Sequence, residues 1–391
     1  MENKIDLNNV QVAFKYKSNS DLKKAIFIYN LLQKPLIVKS LTKLTNLVLK
    51  YKLPFKYFIR KTVFEIFCAG ENRKKARLTM NHLKQHHVHT VLDYVAEGDK
   101  SDISYERNLE TILENIQFVS QENKESFVGV KLSGLEDVDF IESVKMESIS
   151  SDLAKQKRIA DFIYKVDEIC QLALEKGVKV YFDAEERRTQ DVYDFIVEKM
   201  MVKYNVESVF VYNTLQMYMK DRITYLRNII ENAKETNTKL GVKLVRGAYV
   251  EKEREYAKLK GIESPVFENK EYTDKAFNEA VEICLIEHEI VNTCLATHNQ
   301  LSVEKAIDLI QKLNIEDHYN KVYFSQLFGM SDNLTFNLAQ GKYNASKYVP
   351  YGEVEKAIPY LLRRAEENSS IEGQVSREYE LLVEERKRRM L

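Results

Sequence analysis

The sequence predicts an α/β fold in which eight βα units close into a (βα)8, TIM-like barrel. Short runs of β-branched and aromatic residues alternate with long amphipathic stretches, as in parallel βα units. Eight such runs are present, and polar residues follow almost every run at its carboxyl end. An open, doubly wound sheet is the alternative, but the chain contains neither GxGxxG nor the GxxxxGK[ST] phosphate loop.

The first 84 residues are predicted to form a helical segment that packs on the barrel of residues 85–391. Between Asp21 and Lys84, apolar residues recur at intervals of three and four, as in "LKKAIFIYNLLQ" and "IRKTVFEIF". Pro35 and Pro54 are expected to interrupt these helices.

The eight predicted strands follow in order along the barrel region. They are "HTVLDYV", "FVGVKLS", "VKVYFDAE", "SVFVYNT", "VKLVRGAY", "TCLATHN", "KVYFSQLFG" and "KYVPYG". Because parallel strands of a barrel direct their carboxyl ends to one mouth, the polar residues there are candidates for one active site.

Two strand ends predict electrostatic roles. Asp183 ends an apolar run and can hold a cation from a neighbouring strand, whereas Glu185 and Glu186 suit the start of the next helix as complements of its dipole. Lys243 and Arg246 lie on an apolar strand, where a charge is costly unless it serves a ligand or an ion pair.

Two further segments suggest cofactor binding without metal. The small turn Gly247–Ala248 would let backbone amides approach an anion at a helix start. His298 ends the sixth run beside Thr297, but no second histidine stands at metal-ligand spacing, so no metal site is predicted.

The stretch "YGEVEKAIPYLLRRAEENSS" after the eighth run predicts a final helix with two faces, placed over the barrel mouth. Apolar residues form one stripe, while Tyr360, Arg363, Arg364 and Glu367 fall together on the other side. Paired guanidinium groups suit a small carboxylate, although a solvated charged face is the simpler interpretation of such a helix.

Composition limits the function classes. Lys+Arg and Asp+Glu both number 59, so no overall basic field for nucleic acid is present. Four cysteines without CxxC spacing indicate a reducing compartment. The polar, acidic start indicates a cytoplasmic protein without a targeting segment, and contact with the inner face of a membrane stays open. The basic tail "ERKRRM" is expected to be a frayed, solvated terminus.

Nine segments of the sequence resemble the proline dehydrogenase family, which uses FAD on a (βα)8 barrel. They are "FCAGE", "LDYVAEG", "VKLSGL", "FDAEE", "YNTLQMYMKD", "KLVRGAY", "ATHN", "QLFGM" and "YVPYGEVEKAIPYLLRR", in the family's order. The resemblance covers Phe67 to Ser370.

The resemblance implies site residues by position. Those for the substrate are Lys131, Arg363 and Arg364 at the carboxylate, Leu327, Tyr348 and Tyr360 around the ring, and Glu367 as partner of a clamp arginine. Asp183 and Lys243 are implied as catalytic residues, and those along FAD are Ala184, Gln216, Lys243, Arg246, Gly247, Ala248, Thr297 and His298. Lys243 stands where bifunctional bacterial members have arginine.

The resemblance further implies FAD-dependent oxidation of L-proline to 1-pyrroline-5-carboxylate in proline catabolism, with a membrane quinone as acceptor and a separate pyrroline-5-carboxylate dehydrogenase downstream. Three alternatives remain: a hydroxyproline dehydrogenase of the same family, an aldolase with Lys131 or Lys243 as Schiff-base nucleophile, and a non-catalytic scaffold.

Overall fold

The computed structural model describes residues 5–34, 64–95, 101–123, 125–144, 152–315, 318–358, 360–361 and 374–391. The chain divides into two compact units. One comprises Met1–Gly98 with Ser325–Leu391, and the other comprises Asp99–Phe324. The predicted boundary between a helical segment and the barrel at residue 84 stays a prediction.

Eight strands in the order β1-β2-β3-β4-β5-β6-β7-β8 form a closed barrel, which confirms the predicted fold class. The pairs β1–β8 and β2–β3 through β5–β6 are parallel. The strands are β1 (Val88–Tyr94), β2 (Phe127–Lys131), β3 (Lys179–Asp183), β4 (Val211–Gln216), β5 (Leu240–Val245), β6 (Val291–Ala296), β7 (Val322–Leu327) and β8 (Asn344–Tyr351).

Helices separate the strands, as the amphipathic stretches predict. In Asp99–Phe324 the main helices are Asp102–Glu122, Val138–Ser143, Leu153–Lys176, Arg187–Tyr204, Arg222–Thr236, Val250–Lys260, Lys270–Ile286, Gln300–Lys312 and His318–Lys321. Local sequence sets their ends: Asp152 accepts hydrogen bonds from the Ala154 and Lys155 amides, and Gly177 closes the same helix in the left-handed region at φ 67°.

The other unit contains the helices Val10–Phe14, Asn19–Leu32, Glu65–Phe67, Arg73–Gln85, Asp332–Gln340 and Gln374–Arg388. The backbone is also helical at 354–358 and 360–361, where the predicted final helix begins. The helical prediction around Asp21–Leu32 is confirmed, whereas Pro35 and Pro54 lie outside the described residues.

The expectation of a frayed carboxyl terminus is wrong. The last helix runs to Arg388, and the buried carboxylate of Glu385 pairs with Arg388 and Arg389. Arg389 also donates to the carbonyl oxygens of Phe14 and Lys17. These bonds fix the basic tail to the amino-terminal helices. Among the described residues, no helix is both long and apolar enough to cross a bilayer.

Candidate active site

An aromatic layer fills the barrel interior below the strand ends of Asp99–Phe324. The rings of Phe127 and Tyr181 stack with centroids 4.4 Å apart, and Tyr212 meets Tyr181 edge-on at 5.0 Å. The ammonium group of Lys243 lies 5.3 Å from the Tyr181 centroid, one layer higher on β5. The ammonium group of Lys243 therefore lies next to buried aromatic rings.

Asp183 and Lys243 form an ion pair above this layer. Asp183 is the last residue of β3, and its Oδ1 accepts a hydrogen bond of 2.5 Å from Lys243 Nζ on β5. Lys243 is only 5% exposed. Because an unpaired buried charge is costly, the ion pair offsets part of the cost of burying these two groups. The prediction that Asp183 pairs with a cation is confirmed, but the cation comes from β5, two strands away, and not from a neighbouring strand.

Lys131 ends β2 and lies beside Asp183 in the parallel register. Its side chain is half-buried, unlike the buried apolar residues before it on the strand. Lys131 therefore lies at the same level of the sheet as Asp183.

Glu185 has a different role from the one predicted. Its carboxylate lies at Ser133, accepting from the amide at 3.0 Å and from the hydroxyl at 2.5 Å, rather than serving the following helix. The amide nitrogen of Gln216, the last residue of β4, donates to the Glu185 carbonyl at 2.7 Å. Ala184, between the two carboxylates in sequence, is half-buried in this connection.

Arg246 is fixed by three hydrogen bonds just beyond β5. Its guanidinium group donates to Asp274 Oδ1 at 2.5 Å, Thr297 Oγ1 at 2.7 Å and Ser302 Oγ at 2.9 Å, and it lies 4.4 Å from the Phe277 centroid. Burial lowers the pKa of Arg246, against the opposing effect of Asp274. Since guanidinium has five N–H donors, two have no partner among the residues that the structure describes.

The Gly247–Ala248 turn requires glycine at its first position. Gly247 has φ +118°, and a Cβ there would come 2.3 Å from the ring of Tyr218. Ala248 is exposed, and the helix Val250–Lys260 starts two residues later. His298 is half-buried in the turn between Thr297 and the Asn299 cap of the next helix.

The ring-contact residues predicted in the other unit lie on three elements: β7, β8 and the start of the final helix. Leu327 ends β7 half-buried, and Tyr348 on β8 is buried; the amide of Phe328 donates to the Tyr348 carbonyl at 2.9 Å. Tyr360 is buried within the apolar cluster that contains Phe67 and other residues of the amino-terminal helices.

The final helix is described only in part. Val354, Ala357, Ile358 and Leu361 are buried, which confirms the start of the predicted apolar stripe. Arg363, Arg364 and Glu367 lie outside the described residues.

Sequence reasoning missed a buried ionic cluster behind β7 and β8. Lys347 is 1% exposed, and its Nζ lies 2.9 Å from Asp332 Oδ1. The same ammonium group donates to the carbonyl oxygen of Leu327 at 3.4 Å and to that of Met330. Lysine in the middle of the apolar strand "NASKYVPY" was a signal of this cluster, by the argument that singled out Lys243.

Two segments outside the barrel complete this cluster. Tyr16 donates to Asp332, and Lys17 Nζ lies 3.1 Å from the same carboxylate. From the last helix, Glu378 accepts a hydrogen bond from the Ser331 amide. The helices near both termini thereby support the strand that contains Tyr348.

Comparison with known proteins identifies the family. The proline dehydrogenase family model matches residues 76–377. The mitochondrial proline dehydrogenase 1 of Dictyostelium discoideum is 31% identical over 99% of this chain and 76% of its own length. The chain belongs to the proline dehydrogenase family.

Two other known proteins also match most of this chain. The hydroxyproline dehydrogenase of Xenopus laevis is 27% identical, over 96% of this chain and 89% of its own. A crystal structure shows proline utilization A (PutA) of Bdellovibrio bacteriovorus after its inactivation by N-propargylglycine. It matches 96% of this chain with a TM-score of 0.77. The two sequences are only 19% identical, so this likeness supports the fold alone. The match spans 44% of the PutA chain.

Proposed function

We propose that the protein is an FAD-dependent dehydrogenase that oxidises the C5–N bond of L-proline to give 1-pyrroline-5-carboxylate. The observation that supports this best is the buried Asp183–Lys243 pair at the strand ends of a barrel from the proline dehydrogenase family. Lys131 lies next to that pair in the strand register, where a carboxylate substrate finds an ammonium partner.

The residues of this chain fit a flavin. Within the described ranges, two N–H donors of Arg246 have no partner. The exposed residue Ala248 follows Gly247, where the backbone passes close to Tyr218. On β4, the buried hydroxyl of Thr214 has no hydrogen-bond partner within the described part of the chain. Unused donors and a buried polar atom near the strand ends are what a large polar ligand would satisfy.

Arg246, Gly247, Ala248, Thr297 and His298 would bind FAD on one side of the barrel mouth, with Ala184, Gln216 and Lys243 as its other contacts. Bound FAD supplies the two-electron acceptor for the hydride equivalent from proline C5. Lys243 supplies a fixed positive charge to stabilise negative charge that develops on the acceptor, and Asp183 keeps that ammonium oriented. Neither group is assigned a proton transfer.

The remaining predicted residues would bind the amino acid. Lys131, Arg363 and Arg364 hold the carboxylate, and Glu367 orients an arginine of the pair. Leu327, Tyr348 and Tyr360 enclose the ring and exclude water. Fixing the substrate by its carboxylate aligns C5 for oxidation, which is a gain from orientation rather than from acid–base chemistry.

The wider reaction follows from the same proposal. The electrons pass to a membrane quinone, and 1-pyrroline-5-carboxylate passes to a separate dehydrogenase. The protein acts in the cytoplasm with peripheral contact at the inner face of the membrane.

Hydroxyproline is the second candidate substrate, because hydroxyproline dehydrogenases from Xenopus laevis and Bos taurus are also similar, the second at 36% identity over 58% of this chain. The added hydroxyl would be accepted or rejected by the residues around the ring, of which Tyr348 and Tyr360 have hydroxyl groups.

Anaerobic titration of the purified protein tests the proposal. We expect a flavin absorption spectrum that bleaches on addition of L-proline, and less completely with equal hydroxyproline. The reverse order would favour the second candidate. Absence of any flavin together with borohydride trapping of a substrate ketone would instead support the aldolase, and absence of both flavin and proline binding would support the scaffold.

A further inference from the structure

The two carboxylate oxygens of Glu185 bind the same residue, Ser133. Oε1 accepts from the Ser133 amide at 3.0 Å and Oε2 from its hydroxyl at 2.5 Å, across 52 positions of sequence. Such a two-point contact fixes direction as well as distance, which one hydrogen bond does not.

Ser133 belongs to the short 3-10 turn Leu132–Gly134 that directly follows Lys131. The turn is fixed again one residue later, since the Asn108 side-chain amide donates to the Gly134 carbonyl at 2.9 Å. Lys131 therefore lies between a regular strand and a turn anchored at two consecutive residues.

The surroundings of Glu185 affect its pKa and fix its backbone. Burial raises the pKa of Glu185, while the two Ser133 hydrogen bonds and the positive charge of Lys131 act in the opposite direction. Gln216 fixes the backbone of the same residue through its carbonyl. A surface carboxylate that only complements a helix dipole would need none of these partners.

We propose that Glu185 is a positioning residue that acts through Ser133 to hold Lys131 in the orientation that binds the substrate carboxylate. This inference rests on the proposed function, in which Lys131 contacts that carboxylate. Glu185 itself does not touch the substrate.

Binding of cyclopentanecarboxylate, a ring carboxylate that lacks the oxidisable C–N bond, measures this role without turnover. In the FAD-loaded protein, Glu185→Gln should weaken binding roughly tenfold, because glutamine cannot accept from both Ser133 donors. Ser133→Ala, which removes only the hydroxyl, should give a smaller loss. Glu186→Gln is the matched control, since that carboxylate pairs with Lys252 and Arg188 instead.

A double-mutant cycle with Lys131→Met distinguishes positioning from an independent effect. Glu185→Gln should cost little further affinity once Lys131 is gone, and FAD content should be equal in all variants. If the two losses multiply, or if both Glu185→Gln and Ser133→Ala bind as wild type does, the inference is overturned. If wild-type protein is neither reduced by L-proline nor able to bind the analogue, the proposed function fails instead.

Discussion

Glu378→Gln should stabilise the protein at alkaline pH. Glu378 is buried beside Asp332. Burial, and after it the charge of Asp332, raises the pKa of Glu378 from the ordinary 4.5 to about 7. Lys347 and the Ser331 amide only partly oppose this. Glutamine keeps an acceptor for that amide and removes the charge, so the substitution isolates the cost of ionisation.

The sign and size of the effect follow from linkage. A carboxyl group whose pKa is raised by folding stabilises the folded state fully below pH 4.5, and this contribution is lost as pH rises to about 7. At about 1.4 kcal/mol for each tenfold change in proton affinity, the contribution lost is about 3 kcal/mol. Asp332 has the opposite dependence, because Lys347 and Lys17 outweigh burial and hold its pKa below the ordinary value.

Urea unfolding at about pH 5 and about pH 8 measures this difference directly. The free energy of unfolding of Glu378→Gln should exceed that of the wild type by up to about 3 kcal/mol at the higher pH and by less than about 1 kcal/mol at the lower pH. Glu380→Gln, an exposed position on the same helix, is the control and should change little. A variant that is less stable than wild type at the higher pH would refute the reasoning.

Three further predictions concern the buried cluster, the arginine pair and Lys243. Lys347→Met leaves the Asp332 carboxylate buried without its nearest cation and should lower the free energy of unfolding by about 3–5 kcal/mol in the same urea assay, whereas a loss below about 1 kcal/mol would mean that the cluster is not structural. Replacing Arg363 or Arg364 with Met should weaken L-proline binding roughly tenfold to a hundredfold with unchanged FAD content, as judged by anaerobic flavin reduction, and near-wild-type affinity in both would favour the solvated face. Lys243→Met should slow flavin reduction by proline, measured in a stopped-flow instrument, and a shifted pH optimum with an intact maximal rate would argue for a titrating role instead.

The sequence predicts the strands well because their signal is local. Each buried strand is a β-branched or aromatic run, such as "VKVYF" before Asp183, and its boundaries need no knowledge of distant residues. The Asp183–Lys243 pair was predictable for a related reason, since a charge on an apolar strand requires a partner.

What the sequence could not predict is which distant groups meet. Glu185 binds Ser133, 52 positions away, and Glu378 binds the amide of Ser331, 47 positions away. Neither pair has a spacing or pattern that distinguishes it from many other polar pairs. Glutamates before or within helices commonly serve the helix itself, so only the folded chain reveals the long-range partner.

The site of oxidation is the central claim, and deuterium substitution in the substrate tests it most directly. Anaerobic reduction of the bound flavin is followed with L-proline, with proline dideuterated at C5 and with proline deuterated at C2. The account predicts that deuterium at C5 slows reduction markedly while deuterium at C2 leaves the rate unchanged, and that the product is two hydrogens lighter than proline. Slowing by C2 deuterium alone would contradict it.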